Sequence, residues 1–334
     1  MRRGEPYNIA LIGAGRMGAR WAKVISESTG CSLALVSDRD AALAKRIAGL
    51  YGADFSADQN AVFDSDVSAV VIVTPHAFLY PLAKKALLSG KHVFVEKPGS
   101  TTADEMRELT RIANDKKLML IVGFNYRFFD SVRKAKHIVE GGGIGEVVSL
   151  RIVHGHPGRP GYEKEWRMQK RLSGGGVLMD QGLHVIDLAR WFLGEPATRV
   201  NGVTSNFSWK AEVEDAAFVL LETKQKKLAS LSVSISEWEP VFSCHITGKK
   251  GYIFIPGLGR KYGIGDRFEI GLYDRKTGRL EKRSVPCNPD ADAALSLEFK
   301  AFIGALSGEN GAESNASDAA EALALIEQVY TSGQ

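Results

Sequence analysis

Short apolar runs alternate with amphipathic segments over the first third of the chain. The runs predict buried strands, and the segments, with apolar residues three or four positions apart, predict helices. The run at 69–74 (AVVIVT) is apolar on both faces, as in the centre of a parallel sheet. Strands that alternate with helices indicate an α/β unit. The predicted strands are 7–12, 32–37, 69–74, 92–95 and 118–124, and the predicted helices are 16–27, 40–50, 81–88 and 103–116.

The pattern changes near residues 124–127. Most segments between 197 and 282 alternate apolar and polar residues without helices between them, which predicts a largely antiparallel sheet. Helices are predicted at 129–139, 173–192, 295–306 and 316–330. We therefore predict two domains, an α/β domain over 1–124 and an α+β domain with an open sheet over 125–334. The two C-terminal helices are candidates to pack back on the first domain.

A glycine-rich loop follows the first predicted strand. Gly13, Gly15 and Gly18 form a G-x-G-x-x-G motif at the start of a helix. The first glycine allows a tight turn, the second lets the backbone approach a pyrophosphate, and the third permits close packing of the helix. The helix N-terminus then stabilises the phosphate charge. The motif predicts a Rossmann domain that binds a nicotinamide dinucleotide, with contacts from Gly13, Ala14, Gly15, Arg16, Met17 and Gly18.

Asp38 ends the second predicted strand, 20 residues after Gly18. A carboxylate there can accept hydrogen bonds from the ribose hydroxyls and repel a 2′-phosphate, which favours NAD over NADP. The neighbouring Arg39 leaves NADP open, because an arginine can pair with that phosphate. Alternatively, Asp38 is a simple N-cap of the next helix.

Composition narrows the class of protein. The chain has 334 residues and a net charge of +4, which is too small and too dispersed to predict a nucleic-acid partner. Three widely spaced cysteines lack metal-ligand spacing and predict free thiols in a reducing compartment. Arg2 and Arg3 resemble a twin-arginine signal, but no sufficient apolar segment follows them. No stretch is apolar enough to span a bilayer, so we expect a cytoplasmic protein without a membrane partner.

Two further segments carry candidate catalytic residues. Lys97 follows the strand at 92–95, at the edge of the sheet where ligands bind in such folds. Asp180, His184 and Asp187 are spaced i, i+4 and i+7, which places them on one face of the predicted helix. A carboxylate one turn from a histidine can orient the imidazole and raise its basicity for acid–base chemistry near neutral pH. The alternatives are a surface lysine and a histidine buried for packing.

These motifs together resemble those of the Gfo/Idh/MocA oxidoreductases, the glucose–fructose oxidoreductase and inositol dehydrogenase type. The resemblance covers residues 9 to about 195, and the strand-rich remainder agrees with it. The matching segments are 13–18 (GAGRMG), 74–76 (TPH), 90–98 (GKHVFVEKP), 123–128 (GFNYRF), 166–167 (WR) and the pattern of Gly174, Gly175, Gly176, Asp180, Gly182, His184 and Asp187.

The resemblance implies specific roles. His184 would take the proton of a sugar or polyol hydroxyl, Lys97 would hold that oxygen, and Asp180 would orient the pair. The outer face of the second domain's sheet would form a homodimer or homotetramer. The cofactor would be lined by Thr74, Pro75, His76, Glu96, Lys97 and Asn125, and the substrate by Lys97, Arg127, His154, Tyr162, Trp166, Arg167, Asp180 and His184.

A basic segment precedes the catalytic helix. Residues 159–171 contain five basic and two acidic side chains. Because arginine favours phosphate and carboxylate ligands, we interpret the segment as specificity for an anionic sugar, such as a nucleotide sugar or a uronic acid. The alternative is a solvated surface loop. His154 and His156 share a strand face, and we expect them to line the substrate cleft, with no metal bound.

Three functions are compatible with these residues. The first is a dehydrogenase that transfers a hydride between nicotinamide and a sugar, sugar-derivative or polyol hydroxyl. The second is an NAD-dependent glycosidase that uses transient oxidation and elimination without net formation of NADH. The third is a non-catalytic nucleotide-binding sensor, against which the intact Lys97, Asp180 and His184 argue.

Overall fold

The computed structural model describes residues 6–309 and 315–332. Arg2 and Arg3, the candidate signal, lie outside the described residues. The chain divides into two compact units: one is built from Met1–Phe124 and Leu295–Glu321, the other from Asn125–Ala294 and Ala322–Gln334. None of the helices within the described ranges is long and apolar enough to cross a membrane.

The first unit contains a six-stranded parallel sheet with the strand order β3-β2-β1-β4-β5-β6. Strand order reverses between β1 and β4, and ligands bind beyond the carboxyl ends of the strands at such a point. The strands are β1 (Tyr7–Ile12), β2 (Cys31–Ser37), β3 (Asp54–Ser56), β4 (Ala69–Ile72), β5 (His92–Glu96) and β6 (Leu120–Gly123), and the helices are α1 (Arg16–Glu27), α2 (Ala41–Tyr51), α3 (Asn60–Asp64), α4 (His76–Leu88) and α5 (Ala103–Asp115).

The second unit contains an eight-stranded sheet with the order β16-β15-β12-β11-β7-β10-β9-β8. Only β7 and β10 pair in parallel, so the sheet is largely antiparallel, as predicted. Its main strands are β7 (Val147–Gly155), β8 (Ala197–Ser205), β9 (Ala216–Thr223), β10 (Leu228–Ser234), β11 (Val241–Gly248), β12 (Gly251–Ile255), β15 (Arg267–Asp274) and β16 (Arg279–Pro286). Two short strands, β13 (Gly257–Leu258) and β14 (Tyr262–Gly263), form a separate hairpin.

The sheet of the second unit buries one face. Alternate residues of β9, such as Val219 and Leu221, are buried, whereas Phe218 and Leu220 are exposed. The helices α6 (Asp130–Glu140) and α8 (Leu183–Leu193) pack on this sheet, and a one-turn helix, α7 (Lys170–Ser173), precedes α8. The fold class predicted from the sequence, a Rossmann domain followed by an α+β domain, is confirmed.

The chain closes with α9 (Ala291–Leu306) and α10 (Ala316–Ser332). The aromatic side chains of α9 contribute to the core of the first unit. Phe302 lies edge-on to Phe94 with ring centroids 5.6 Å apart, and Trp21 lies 4.7 Å from the same ring. This cluster fixes α1, the helix that begins at the glycine loop, against the middle of the parallel sheet.

Candidate active site

Two glycines of the loop, Gly13 and Gly18, are required sterically. Gly13 has a φ of +105°, and a Cβ there would lie 2.8 Å from the carbonyl oxygen of Val73. A Cβ at Gly18 would lie 2.0 Å from the carbonyl oxygen of Gly13. A Cβ at Gly15 would meet nothing within 4 Å. Gly13 and Gly18 therefore let the loop fold tightly, while Gly15 leaves open space beside the backbone.

Asp38 holds this loop from the end of β2. Its Oδ2 accepts a hydrogen bond of 2.6 Å from the backbone N–H of Ala14, and its Oδ1 accepts one of 2.9 Å from Asp40. The N-cap of α2 is Asp40, which accepts from Ala42 and Leu43, so the alternative of Asp38 as a simple N-cap is wrong. A carboxylate has about four acceptor positions, so Asp38 can bind the loop and still accept from ribose hydroxyls.

The loop and the end of β4 fit a dinucleotide. The helix α1 begins behind Gly15 without a side-chain cap, which leaves first-turn N–H groups for a phosphate. The buried Oγ1 of Thr74 has no hydrogen-bond partner within the described ranges. A ligand that accepts or donates there would satisfy a group that is otherwise costly to bury. Of the other predicted contacts, Arg16 and Arg39 are exposed, Met17 and Pro75 are half-buried, and His76 is buried.

Glu96 and Lys97 lie at the carboxyl end of β5. The Glu96 carboxylate accepts a hydrogen bond of 2.7 Å from Nε1 of Trp21, which ties this strand end to α1. Burial raises the pKa of Glu96, and the hydrogen bond from Trp21 and the charge of Lys97 oppose that rise. Lys97 is half-buried in the first unit and precedes Pro98 through a cis peptide bond.

Asp180 and His184 lie in the second unit, and both are buried. The single helix predicted over 173–192 is wrong in detail. The chain instead runs from α7 through a glycine turn into a π-helical turn, Leu178–Gly182, and then into α8. Asp180 therefore lies on the wider turn and His184 on regular helix, and such turns are frequent at functional sites.

A buried carboxylate explains that break in the helix. Glu214 accepts hydrogen bonds of 3.0 Å from the N–H groups of Gly176 and Leu178, and one of 2.7 Å from the hydroxyl of Tyr330. A Cβ at Gly176 would lie 2.0 Å from the carbonyl oxygen of Glu214, so this approach requires glycine. Burial raises the pKa of Glu214, and its hydrogen bonds oppose the rise. The glycine run is thus a binding site for the protein's own carboxylate.

Arg127 does not occupy the position expected of a substrate ligand. Its Nε donates to Oδ2 of Asp187 at 2.8 Å, and its NH2 group pairs with the other carboxylate oxygen. Both side chains are at most 3% exposed. The bidentate pair joins the turn at Asn125–Phe128 to α8. We therefore replace the prediction that Arg127 binds the substrate with a structural role. The Asp187 carboxylate takes part in this ion pair, so the face that it was predicted to share with Asp180 is not formed.

Two of the five basic side chains in the segment 159–171 pair with acids. Arg167 Nε lies 3.2 Å from Oδ2 of Asp180, and its guanidinium lies 4.4 Å from the centroid of the Trp166 ring. Arg159 pairs with Glu165 and lies over the ring of Tyr162. The remaining basic side chains are exposed: Lys164, Lys170 and Arg171. The excess positive charge of the segment therefore lies on exposed side chains.

The two histidines of β7 and its end are buried and uncharged near neutral pH. Burial is the largest cause that lowers the pKa of His154 to about 4 and the pKa of His156 to about 4. His156 Nδ1 accepts from the N–H of Gly158, and its ring lies 5.8 Å from that of Tyr162, which is also buried. Across the described ranges, no three His, Cys, Asp or Glu side chains are grouped to hold a metal ion.

The sequence reasoning missed the residues that support the candidate acid–base pair. The ring of Tyr126 stacks on that of His184, and Gln181 lies within reach of His154 and Asp180. Tyr126 lies within the matching segment 123–128 and Gln181 follows Asp180, so their positions in the motifs were a signal that could have identified them. Glu214 and Tyr330 have no such signal, because they reach this region only through the fold.

The Asp38 geometry predicts a selective effect on cofactor affinity. Asp38→Ala removes the carboxylate that accepts from the Ala14 N–H and that would accept from the ribose hydroxyls. Hydrogen bonds to charged groups contribute about 1.5–3 kcal/mol, so we expect NAD to bind about 10- to 100-fold more weakly. The matched control is Asp40→Ala, which removes an N-cap and should cost about 1 kcal/mol of stability with little change in NAD affinity. Calorimetric titration with NAD measures both, and equal losses of affinity would contradict the assignment.

Comparison with known proteins identifies the family of both units. Residues 7–124 match the model of an oxidoreductase family with an NAD-binding Rossmann fold, and residues 132–254 match the C-terminal domain model of GFO/IDH/MocA proteins. An inositol 2-dehydrogenase of Rhizobium meliloti (strain 1021) is 34% identical over 231 residues, which is 67% of each chain.

Solved structures extend the likeness to almost the whole chain. GenD2 from gentamicin A biosynthesis, in complex with NAD, is 25% identical and covers 98% of this chain and 94% of its own, with a TM-score of 0.85. A levoglucosan dehydrogenase in complex with NADH and L-sorbose shares the fold, with a TM-score of 0.89 at 22% identity over 98% of this chain and 96% of its own.

The parallel sheet, the glycine loop with Asp38 and the similarity to these dehydrogenases identify an NAD-dependent oxidoreductase that acts on CH–OH groups. The chain belongs to the Gfo/Idh/MocA family. The predicted family, enzyme class and cofactor are thereby confirmed.

Proposed function

We propose that this protein oxidises a secondary hydroxyl of an uncharged sugar or cyclic polyol, with NAD as the hydride acceptor. The observation that carries the choice of an uncharged substrate is the pairing of Arg167 with Asp180 and of Arg159 with Glu165. His154 and His156, whose pKa values are lowered, add no positive charge near neutral pH. The inositol 2-dehydrogenase of Rhizobium meliloti, to which the chain is similar, is named for a cyclic polyol.

Three side chains would carry the chemistry. His184 would accept the proton of the substrate hydroxyl through its imidazole, while bound NAD supplies the acceptor for the hydride that leaves the same carbon. Lys97 would donate a hydrogen bond to the substrate oxygen and stabilise the negative charge that develops on it. Asp180, held by Arg167 at 3.2 Å, would fix the orientation of the reacting groups.

The remaining contacts are those that the sequence motifs suggested. We propose that Thr74, Pro75, His76, Glu96 and Asn125 line the cofactor. The buried Oδ1 of Asn125, like Oγ1 of Thr74, has no hydrogen-bond partner in the part of the chain that the structure describes. For the substrate we retain His154 and His156, which the sequence suggested as residues of the cleft, together with Tyr162, Trp166 and Arg167.

A panel of substrates tests this proposal. The purified chain is incubated with NAD and with neutral polyols and sugars, such as myo-inositol and levoglucosan, and in parallel with uronic acids and nucleotide sugars. We expect NADH to form with a neutral compound at a kcat/KM at least about tenfold above that of any anionic one, since a desolvated anion without a paired cation is costly to bind. Preferred turnover of an anionic sugar would contradict the proposed substrate class.

We also propose that the protein is a cytoplasmic homodimer or homotetramer that pairs through its open sheet. The exposed face of that sheet carries Val203, Phe218 and Leu220 at 54–63% exposure on adjacent strands. Apolar patches of this kind mark interfaces. The three cysteines are free thiols, as expected in a reducing compartment. Sedimentation equilibrium of the full chain checks the assembly, and a monomer at micromolar concentration would contradict it.

A further inference from the structure

Tyr126 lies directly against the proposed general base. Its ring is parallel to the His184 imidazole, with centroids 4.0 Å apart and an interplanar angle of 8°. Tyr126 is 8% exposed and His184 is 5% exposed, so this contact lies away from bulk water. Tyr126 belongs to a 3-10 turn, Asn125–Phe128, which the buried pair of Arg127 and Asp187 fixes to the helix that carries His184.

The hydroxyl of Tyr126 is held by neutral groups. It lies 3.0 Å from Nε2 of His154 and 3.4 Å from Oε1 of Gln181. The neutral His154 can donate one hydrogen bond, either from Nε2 to that amide oxygen at 2.9 Å or from Nδ1 to the carbonyl oxygen of Val241 at 3.3 Å. Burial raises the pKa of Tyr126, so the phenol stays protonated, and burial lowers the pKa of His154 to about 4. The phenol ring of Tyr126 therefore has a fixed orientation and carries no charge.

An aromatic face attracts a cation more strongly than it attracts a neutral ring, because the quadrupole places negative charge above the ring. The imidazole of His184 becomes a cation when it accepts a proton. We propose that Tyr126 is a positioning residue for this reaction, stacking on His184 so that the protonated imidazole is favoured as it forms. The inference rests on the proposed function for its role in turnover, but the stacking effect itself exists without substrate.

Several ionisable groups of the second unit surround this stack and must stay constant in a test. Asp180, on the π-helical turn, acts electrostatically on both Tyr126 and His154. Tyr262, on β14, acts on Tyr126, and Lys261 acts on His154. Arg167 is paired with Asp180. Substitutions at Tyr126 leave these charged side chains in place, and the phenylalanine variants share the loss of the hydroxyl, so a shift among them can be attributed to the face of the ring.

The direct test is an NMR titration of the full chain with 13C-labelled histidine, in which His184→Ala assigns the His184 signal. The probe variants replace Tyr126 by phenylalanine and by 4-fluoro-, 3,5-difluoro- and 3,4,5-trifluorophenylalanine, which keep the ring while weakening its negative face. We expect the midpoint for protonation of His184 to move to lower pH stepwise along this series, by up to about one unit, since a buried cation–π contact corresponds to about that shift. Tyr126→Leu should shift it by a similar amount.

The control is Tyr273→Leu, which removes a half-exposed ring on β15 and should leave the midpoint unchanged. A midpoint that is the same across the phenylalanine series would overturn the inference, and this series stands even if Tyr126→Leu does not fold. If the chain oxidises a polyol, the acidic limb of its kcat–pH profile should move with the NMR midpoint, and a limb that stays fixed would also overturn the role in turnover. Absence of any oxidation would refute the proposed function alone, because the NMR result does not depend on turnover.

Discussion

Replacement of His184 by alanine should lower kcat for polyol oxidation by about 10²- to 10⁴-fold, the usual effect of a lost general acid–base group. The binding of NAD should remain within about twofold of the parent, because the glycine loop, Asp38 and Thr74 belong to the first unit and His184 to the second. Steady-state kinetics give the first quantity, and calorimetric titration with NAD gives the second.

The control for this prediction is His137→Ala, which removes an exposed histidine from α6 and should change neither quantity. Loss of NAD affinity in His184→Ala with an unchanged kcat would contradict the role assigned to His184. Exogenous imidazole should restore part of the lost activity, since it can supply the missing proton acceptor.

Breaking the buried pair of Arg127 and Asp187 should have the largest effect on stability. Asp187→Asn removes one charge of the pair and leaves a guanidinium that is 3% exposed. Removal of one partner from a buried ion pair costs about 3–5 kcal/mol, so we expect a clear fall in the urea midpoint of the second unit. The loss should exceed that of any exposed ion pair in the chain.

The matched control is Asp115→Asn, which makes the same substitution in an exposed pair with Arg111 at 2.9 Å. Exposed pairs contribute about 0–1 kcal/mol, so the urea midpoint should barely change. Equal shifts for Asp187→Asn and Asp115→Asn would show that the buried pair does not stabilise the fold as we describe.

The parts of the fold that the sequence predicted are those with a periodic or local signal. The central strand β4 is apolar on every residue, and the glycine loop with Asp38 is defined within one strand–helix–strand unit. By contrast, β16 pairs only with β15 at the sheet edge, and all but one of its residues are exposed. Charged edge strands block further pairing, and they carry no hydrophobic alternation that sequence analysis could detect.

The parts of the site that could not be predicted depend on contacts between distant residues. The helical spacing of Asp180, His184 and Asp187 suggested one shared face, but Glu214 accepts hydrogen bonds from the start of this segment, and a π-helical turn follows. Asp187 pairs with a residue 60 positions away. The sequence shows how many charged side chains residues 159–171 contain, but it does not show the ion pairs of Arg159 and Arg167, which form only in the folded chain.

The central claim is that a hydride leaves a substrate carbon and remains on the cofactor as the hydroxyl is oxidised. The most direct measurement uses a polyol with deuterium on the oxidised carbon, incubated with NAD and the full chain, followed by mass spectrometry of the cofactor and of the product. We predict one deuterium in each NADH and one ketone for each NADH formed. Conversion of a glycoside with release of its aglycone and no net NADH, as a redox-neutral glycosidase would give, would contradict the account.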